Sequence, residues 1–357
     1  MRKKSRVVYV GGIAVGGGNR IPIQSMTNTD THDIKATVEQ ITALHNAGCD
    51  IVRFTVPDTE AAEAVKEIRR ACDFIPLVAD IHFDYRLALK CAENGIDKIR
   101  INPGNIGGED RVAEVARVCK SRRIPIRIGV NGGSLEKELL AKYGAPTPEA
   151  LFESAMGHVG LLEKFGFDDI VISVKSSSVS GTVAANRYLA ENCDFPLHIG
   201  VTEAGNARYG LIKNAEALGA LIPDGIGDTV RVSLTADPVE EVYAGRDILR
   251  SLDCVGHSGM NIVSCPTCGR TRIDLIGLSS AFEAAAKKEG LFDVPVKVAI
   301  MGCVVNGPGE AHEADVGVAG GKGEALLFAH GEIVRKIPES EIVPSLINYI
   351  KDNYTDK

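Results

Sequence analysis

Two cysteines in the stretch CPTCGR (265–270) have the shortest spacing at which a chain chelates one metal ion or one corner of a cluster. Two thiolates do not complete a tetrahedral site, and the chain has no second CxxC. The remaining cysteine of the C-terminal part is Cys303, which follows an apolar run and begins the Gly/Pro loop CVVNGPGE (303–310). Cys254 lies outside this compact arrangement. We therefore expect a site built on Cys265, Cys268 and Cys303.

The spacing of these cysteines leaves three chemistries open. A structural zinc ion would take three thiolates and a histidine, either His257 or His312. A redox dithiol would use the CxxC pair and leave Cys303 unexplained. A [4Fe–4S] cluster normally takes four cysteines, so three would leave one iron to a weaker oxygen ligand or to substrate. Spacing alone does not separate zinc from a cluster and disfavours the dithiol.

A second group of reactive side chains consists of cations inside apolar, strand-like runs. These are Arg53, Arg100, Arg127, Lys175 and Arg231, each flanked by Ile, Val or Phe. Parallel strands are covered on both faces, so a charge there is costly unless it is paired or faces water. The nearby acids, Asp80 and Glu203, are too few to pair all five. Because a guanidinium matches phosphate oxygens, the pattern predicts a small substrate with more than one phosphate.

The elements that position these cations alternate between short apolar runs and amphipathic helical stretches. Eight runs rich in Ile and Val, each bounded by Gly, Pro or Asp, are predicted as strands: 22–26, 50–56, 76–81, 98–102, 125–130, 170–175, 196–201 and 229–234. Eight strand–helix units within about 250 residues predict an α/β fold of the TIM (β/α)8 type over residues 1–255. A doubly wound sheet usually has fewer strands. Active sites of such barrels lie at the carboxyl ends of the strands, where the cations fall.

The pattern changes after a short linker near 253–261. Residues 260–357 predict a small α+β domain, in which CPTCGR (265–270) leads into a helical stretch. A helix is expected over 278–290, a strand over 296–302 and a last helix over about 339–352. The three candidate cysteine ligands all belong to this domain.

Composition excludes several classes of function. The 357 residues are 45% hydrophobic and 24% charged, with a formal net charge of −7, so neither a nucleic-acid nor a membrane-surface partner is expected. No run of about 18 apolar residues occurs. The start MRKKSRVVYV lacks the apolar core of a signal peptide, and a cytoplasmic location is expected. Four cysteines within helical stretches are predicted to be core residues: Cys49, Cys72, Cys91 and Cys119.

The glycine-rich stretch VGGIAVGGGN (10–19) precedes the first predicted barrel strand. A dinucleotide-binding fingerprint requires glycines between a strand and a helix, so we reject that reading. No Walker A sequence is present either. No nicotinamide or nucleoside triphosphate site is therefore expected.

Several motifs, in order along the chain, resemble one family. They are PIQSMTNTDTHD (22–33), ADIHFDYRLAL (79–89), RINPGNIG (100–107), RIGVNGGSLEK (127–137), PLHIGVTEAG (196–205), GIGDTVRVSL (225–234), CPTCGR (265–270) and MGCVVNGPGEA (301–311). Together they resemble the 4-hydroxy-3-methylbut-2-enyl diphosphate synthases of the non-mevalonate isoprenoid pathway, in their two-domain bacterial form. The resemblance covers nearly the whole chain.

The resemblance implies a [4Fe–4S] cluster held by Cys265, Cys268, Cys303 and the carboxylate of Glu310. A carboxylate is a harder and more replaceable ligand for iron than a thiolate, so substrate oxygen could take its place. By the same resemblance Asn306 lies near the substrate, and Glu203 donates or relays a proton.

The resemblance further implies the substrate 2-C-methyl-D-erythritol 2,4-cyclodiphosphate. Its diphosphate would be bound by the five strand cations and three polar residues: Arg53, Arg100, Arg127, Asn131, Lys175, Thr202, Arg231 and Ser233. The implied reaction is a reductive ring opening and dehydroxylation to the linear allylic diphosphate. Electrons would come from a ferredoxin or flavodoxin, and the family's homodimer would bring the cluster domain of one chain to the barrel mouth of the other.

Two other functions are compatible with the residues taken without the resemblance. One is a zinc-dependent lyase or hydrolase acting on a phosphorylated substrate, with zinc at the three cysteines. The other is non-enzymatic, with the cysteine domain as a structural module. Bound iron and sulfide would separate the synthase from both.

Overall fold

The computed structural model describes residues 3–254, 256–304 and 313–355. The chain divides into two compact units, Met1–Gly256 and His257–Lys357. Each unit has its own hydrophobic core.

The first unit is built around eight parallel strands. They are β3 (Gln24–Met26), β4 (Ile51–Thr55), β5 (Leu77–Asp80), β6 (Lys98–Ile101), β7 (Ile126–Asn131), β8 (Ile170–Lys175), β9 (His198–Ile199) and β10 (Thr229–Val230). Strands β3 to β8 form one six-stranded parallel sheet, and β9 pairs with β10. Parallel bridges Ile172↔Leu197 and Ile23↔Val230 join these two sheets at both edges. The strands therefore close in the order of a TIM barrel, as the sequence predicts.

Helices follow the barrel strands on the outside. They are α1 (Ile34–Asn46), α2 (Thr59–Ala71), α3 (Tyr85–Glu93), α4 (Glu109–Arg122), α5 (Lys137–Tyr143), α6 (Pro148–Glu163), α7 (Val179–Asn192), α8 (Ala207–Leu221) and α9 (Pro238–Ser251). Several begin with a side-chain cap, such as Asp33 on α1 and Asp58 on α2, each of which accepts a hydrogen bond from a first-turn N–H. Each cap fixes the point at which the loop after a strand ends and the next helix begins, and these loops carry polar side chains at the carboxyl ends of the strands.

An antiparallel hairpin precedes the barrel and was not among the predicted elements. Its strands are β1 (Val7–Val10) and β2 (Ile13–Gly16). Val10 and Val15 pack on Ile51 and Val78, at the start of β4 and near the start of β5. The glycine-rich stretch therefore belongs to a hairpin that covers the amino-terminal end of the barrel, away from the cations.

The second unit contains a five-stranded mixed sheet in sequential order. Its strands are β11 (Asn261–Ser264), β12 (Lys297–Met301), β13 (Val316–Gly320), β14 (Glu324–Ala329) and β15 (Glu332–Pro338), accompanied by helices α10 (Leu275–Lys288) and α11 (Ile342–Tyr354). The first three strands are parallel and the last two antiparallel. The predicted α+β character is confirmed, while β11 was missed. Among the described helices none combines the length and apolar character that crossing a bilayer requires.

Candidate functional site

The five strand cations converge on a single cavity of about 170 Å³ in the barrel. All eight predicted substrate-binding residues line it: Arg53, Arg100, Arg127, Asn131, Lys175, Thr202, Arg231 and Ser233. Asp80, His82 and Ser173 complete its polar wall. The cavity therefore lies at the carboxyl ends of the strands, where barrel enzymes bind their substrates.

Asp80 is the central counter-ion of this cavity. Its carboxylate lies 3.1 Å from Nη1 of Arg100 and 3.6 Å from Nε of Arg53. Burial opposes the charge of Asp80, but Arg53, Arg100 and Arg127 outweigh burial and hold the pKa of this carboxyl below its usual range. Asp80 is thus an ionised, fixed acceptor that orients two guanidinium groups.

The second counter-ion is Glu241 on α9, which sequence reasoning missed. Its carboxylate accepts hydrogen bonds from Nε and Nη2 of Arg231, both at 3.3 Å. It also accepts from the backbone N–H of Leu234 at 3.0 Å and from the hydroxyl of Ser25 at 3.0 Å. Glu203, the acid expected to share this role, forms no ion pair within the described residues. The partner of Arg231 is therefore a helix residue that sequence spacing could not single out.

Burial and mutual repulsion lower the pKa values of several cations in this cavity. Burial lowers the pKa of Arg53 to about 10, although Asp80 partly opposes the effect. Burial, then Arg53 and Arg100, lower the pKa of Arg127 far below that of a solvated arginine. Burial, then Arg231 and Arg127, lower the pKa of Lys175 in the same way. In the part of the chain that the structure describes, the five cations have two carboxylates as ion-pair partners, so an anion with several negative charges would relieve the repulsion among the cations.

Two glycines make room for these cations. A Cβ on Gly129 would lie 2.6 Å from Nε of Arg100, so the guanidinium occupies the space that a side chain would need. A Cβ on Gly200 would lie 2.1 Å from the backbone oxygen of Arg231, on a backbone with φ of +152°. The close approach of strands β9 and β10 beside the cavity therefore requires glycine at that position.

Glu203 lies next to the cation cavity in a second, larger one. This cavity of about 510 Å³ shares Asn131 and Thr202 with the first and adds Gly132, Ser176 and Glu203 to the wall. Glu203 has a φ of +52°, a left-handed conformation that is uncommon outside glycine and clusters at functional sites. The carboxylate of Glu203 therefore lines a cavity that adjoins the cation cavity through Asn131 and Thr202.

The loops that carry Cys265 and Cys303 begin at the carboxyl ends of two paired strands in the second unit. Cys265 directly follows β11 and Cys303 follows β12, and these neighbouring strands are parallel with Ser264 beside Ile300. The backbone N–H of Gly302 donates a hydrogen bond to Sγ of Cys265 at 3.3 Å. Parallel strands have their carboxyl ends at the same end of the sheet, which explains why the loops that begin after β11 and β12 lie side by side although Cys265 and Cys303 are 38 positions apart.

The CxxC turn is fixed against the same loop. The backbone N–H of Cys268 donates to Oγ1 of Thr271 at 3.1 Å, and the N–H of Arg272 donates to the carbonyl of Gly302 at 2.9 Å. Cys268 is exposed, while Cys265 and Cys303 are partly buried. In the described segments no three Cys, His, Asp or Glu side chains are grouped closely enough to hold a metal. Asn306 and Glu310 lie outside the described residues, so their predicted roles are unchanged.

The other cysteines have a different environment. Cys49, Cys72, Cys91 and Cys119 are buried, as predicted. Burial raises the pKa of the Cys49, Cys91 and Cys119 thiols to about 12 and that of Cys72 to about 11. These thiols therefore stay protonated and belong to the core.

A TIM barrel with a cation-lined mouth and a separate cysteine-bearing domain is the class that fold and site define, and comparison with known families identifies it further. Residues 5–246 match the GcpE TIM-barrel domain. Residues 261–352 match the GcpE protein C-terminal domain. The chain therefore belongs to the GcpE family.

Curated relatives give this family its activity. The chain is 56% identical to a protein of Ruminiclostridium cellulolyticum over 98% of each chain, and 56% identical to one of Geobacter sulfurreducens over 100% of each. Both relatives are named 4-hydroxy-3-methylbut-2-en-1-yl diphosphate synthase (flavodoxin). The chain is thus an oxidoreductase of this synthase family, and the family predicted from the motifs is confirmed.

Solved structures resemble the barrel alone. Type I 3-dehydroquinate dehydratase from Clostridium difficile superposes with a TM-score of 0.52 at 16% identity, over 70% of this chain and 98% of that one. Dihydropteroate synthase from Stenotrophomonas maltophilia gives 0.51 at 13% identity, over 70% and 99% of the two chains. At such identities the likeness shows a common fold and no common chemistry.

Proposed function

We propose that this protein converts 2-C-methyl-D-erythritol 2,4-cyclodiphosphate to 4-hydroxy-3-methylbut-2-enyl diphosphate by reductive ring opening and dehydroxylation. A ring C–O bond to the diphosphate and the C–OH bond break, a C=C bond forms, two electrons are consumed, and the hydroxyl takes up a proton and leaves as water. The observation that carries the proposal is the cavity in which five cations face two carboxylates.

The cavity fits a diphosphate in both charge and geometry. Arg53, Arg100 and Arg231 are each anchored on one side by a carboxylate. Arg53 and Arg231 also contact the weakly accepting sulfur of Met26, which phosphate oxygens would replace as the stronger acceptors. Lys175 forms no ion pair within the described chain and adds an unneutralised charge. Asn131, Thr202 and Ser233 contribute neutral hydrogen-bonding groups to the same wall. These residues would bind and orient the diphosphate, so that the carbon skeleton extends toward the cavity of Glu203.

Glu203 is the residue we assign to proton transfer. It lines the adjoining cavity, beside Thr202 of the cation cavity. Departure of a hydroxyl as water requires one proton at its oxygen, and a carboxylic acid held beside the carbon skeleton supplies it. His82 also lines the cation cavity and contributes a hydrogen-bonding group there.

For the cofactor, we propose a [4Fe–4S] cluster bound by Cys265, Cys268, Cys303 and Glu310. Its support in this chain is that Cys265 and Cys303 follow the carboxyl ends of two paired strands and that the N–H of Gly302 donates to the Cys265 sulfur, the kind of hydrogen bond that tunes iron–sulfur centres. When bound, the cluster supplies electrons singly and offers an iron as a Lewis acid. A flavodoxin or ferredoxin would deliver the electrons, as the relatives' names indicate for flavodoxin.

Anaerobic purification tests the cofactor and separates it from zinc. We expect a brown protein with four irons and four sulfides per chain and product formation from the cyclodiphosphate with reduced flavodoxin. A colourless protein with one zinc per chain and redox-independent turnover would support the zinc-dependent lyase or hydrolase instead.

We also propose a homodimer in which the cysteine domain of one chain serves the barrel of the other. Mixing two inactive variants tests this arrangement. Arg127→Ala removes the barrel site and Cys303→Ser removes the cysteine site, so unfolded and refolded mixtures should regain part of the activity through chimeric dimers. A mixture that forms mixed dimers and stays inactive would contradict shared sites.

A further inference from the structure

The barrel interior beneath the cation cavity contains a second group of polar side chains. We call Gln24, Lys98, Arg127 and His198 the inner cluster. All four are at most 2% exposed. Lys98 precedes Arg100 by two residues on β6, so both side chains point inward, with Lys98 one layer nearer the amino-terminal end. TIM barrels normally fill such layers with Val, Ile or Leu.

The hydrogen bonds of the inner cluster leave several donors without acceptors. Oε1 of Gln24 accepts from Nζ of Lys98 and from Nη1 of Arg127, each at 3.4 Å. The NH2 group of Gln24, which can only donate, must then find a separate acceptor. Nε2 of Gln24, Nε of Arg127 and both ring nitrogens of His198 are buried and have no hydrogen-bond partner among the described residues. Burial and the neighbouring cations keep the pKa of His198 well below its usual value, so one of its ring nitrogens carries an N–H and the other is an acceptor. The interior therefore contains more N–H groups than the protein can satisfy.

The inner cluster also lacks a negative charge to balance its cationic side chains. No carboxylate in the described chain forms an ion pair with Lys98 or hydrogen-bonds to His198. Burial, and then the cations Arg127 and Arg53, lower the pKa of Lys98 well below its usual value, so no charged group of the described chain stabilises its ammonium form. The groups that act on His198 are also cations, Arg127 and Lys175 foremost. A buried ammonium without a carboxylate is costly unless an anion accompanies it.

An enclosure lined by N–H donors and cationic side chains favours an anion over other small ligands. The buried cationic side chains Lys98 and Arg127 and the surplus of N–H donors disfavour a metal cation. A water molecule would satisfy some N–H groups, but it leaves the charge uncompensated and brings two donor hydrogens of its own. The interior of a small barrel is packed, which favours a single atom over a tetrahedral oxyanion.

We propose that the inner cluster binds one halide-sized anion, such as chloride, through Lys98, Arg127, Gln24 and His198. This site is separate from the substrate cavity, although Arg127 borders both. The anion holds Arg127 from below and leaves its outer N–H groups for the cavity. The inference does not depend on which phosphorylated substrate the cavity accepts.

Bromide diffraction tests the site directly. Crystals of the full chain grown without halide and soaked in sodium bromide should show an anomalous peak enclosed by the four side chains. Water density at that position, or bromide at surface positions alone, would overturn the proposal.

Thermal unfolding provides a test in solution. At constant ionic strength, replacing gluconate by chloride should raise the Tm of the barrel transition by about 2–4 °C. Lys98→Met should abolish this rise, whereas Lys66→Met, the same change on the exposed face of α2, should keep it. If Lys98→Met does not fold, His198→Gln serves instead and should weaken the rise. A wild-type Tm that does not respond to chloride, or an undiminished response in the folded Lys98 or His198 variant, would count against the site.

Discussion

Substitution of Glu241 gives a sharp test, because two physical arguments predict opposite changes in the affinity for the diphosphate. Changing Glu241 to Gln removes a negative charge beside Arg231, which lines a cavity that is already positive. If only net charge mattered, a diphosphate would bind more tightly to the variant. If Glu241 instead fixes Arg231, as its two hydrogen bonds at 3.3 Å indicate, binding should weaken.

The magnitude follows from the contacts that are lost. A glutamine offers one oxygen where the carboxylate accepts from Arg231, Leu234 and Ser25, and its NH2 group would face donors. Arg231 then loses its bidentate anchor and turns away from the substrate. One charge-assisted hydrogen bond left unmade costs about 1.5–3 kcal/mol, which corresponds to a rise in dissociation constant of about 10- to 100-fold.

Calorimetric titration of the oxidised protein with the cyclodiphosphate measures this constant without turnover. Glu240→Gln is the matched control, since it makes the same change one position away on an exposed residue of α9. Combining Glu241→Gln with Arg231→Ala should add little to Arg231→Ala alone, because both remove the same contact. Unchanged or tighter binding by a folded Glu241→Gln protein would refute the positioning role.

Three further predictions concern other parts of the chain. Gly129→Ala should fold but displace the Arg100 guanidinium, and should raise the KM for the cyclodiphosphate by about tenfold, while an unchanged KM would show that Arg100 is dispensable. Cys303→Ser should lose bound iron and activity while its barrel stays folded, whereas Cys254→Ser should keep both. A Cys303→Ser protein with the full iron content of the wild type would show that Cys303 is not a ligand. Hydrogen bonds to Asp30 and Asp58 raise the pKa of His32 to about 9, so the stabilisation by protonated His32 is present below pH 6.5 and is lost as the pH rises through 9. The Tm of the wild type should therefore fall over this pH range, and the Tm of a His32→Gln protein should lack that fall. A fall of equal size in the His32→Gln protein would contradict the assignment.

The barrel and its cations could be predicted from sequence for one physical reason. Strands β3 to β10 are short apolar runs with regular spacing, and a charge inside such a run is anomalous in itself. The fold then brings the carboxyl ends of all strands to one mouth, so residues as distant as Arg53 and Arg231 need no further signal to meet there. The cavity is the outcome of that topology.

Other features depend on information that sequence spacing does not contain. Glu241 lies on an amphipathic helix beside Glu240, and only the packing of α9 against β3 decides which of the two is buried. Lys98 is as anomalous in its strand as Arg100 but was overlooked, and its lack of a carboxylate partner depends on the register of the interior. The hairpin β1–β2 was missed because its glycines obscure the strand pattern.

A single-turnover experiment tests the central claim most directly. The anaerobically loaded protein, reduced to a known number of electrons and mixed with the cyclodiphosphate, should yield one linear allylic diphosphate for every two electrons consumed. The same protein with Arg127→Ala should keep its iron and reducing equivalents but form little product, because the cavity no longer holds the diphosphate. Product formed without consumption of electrons, or full conversion by the Arg127→Ala protein, would contradict a reductive enzyme that binds its substrate through the barrel cations.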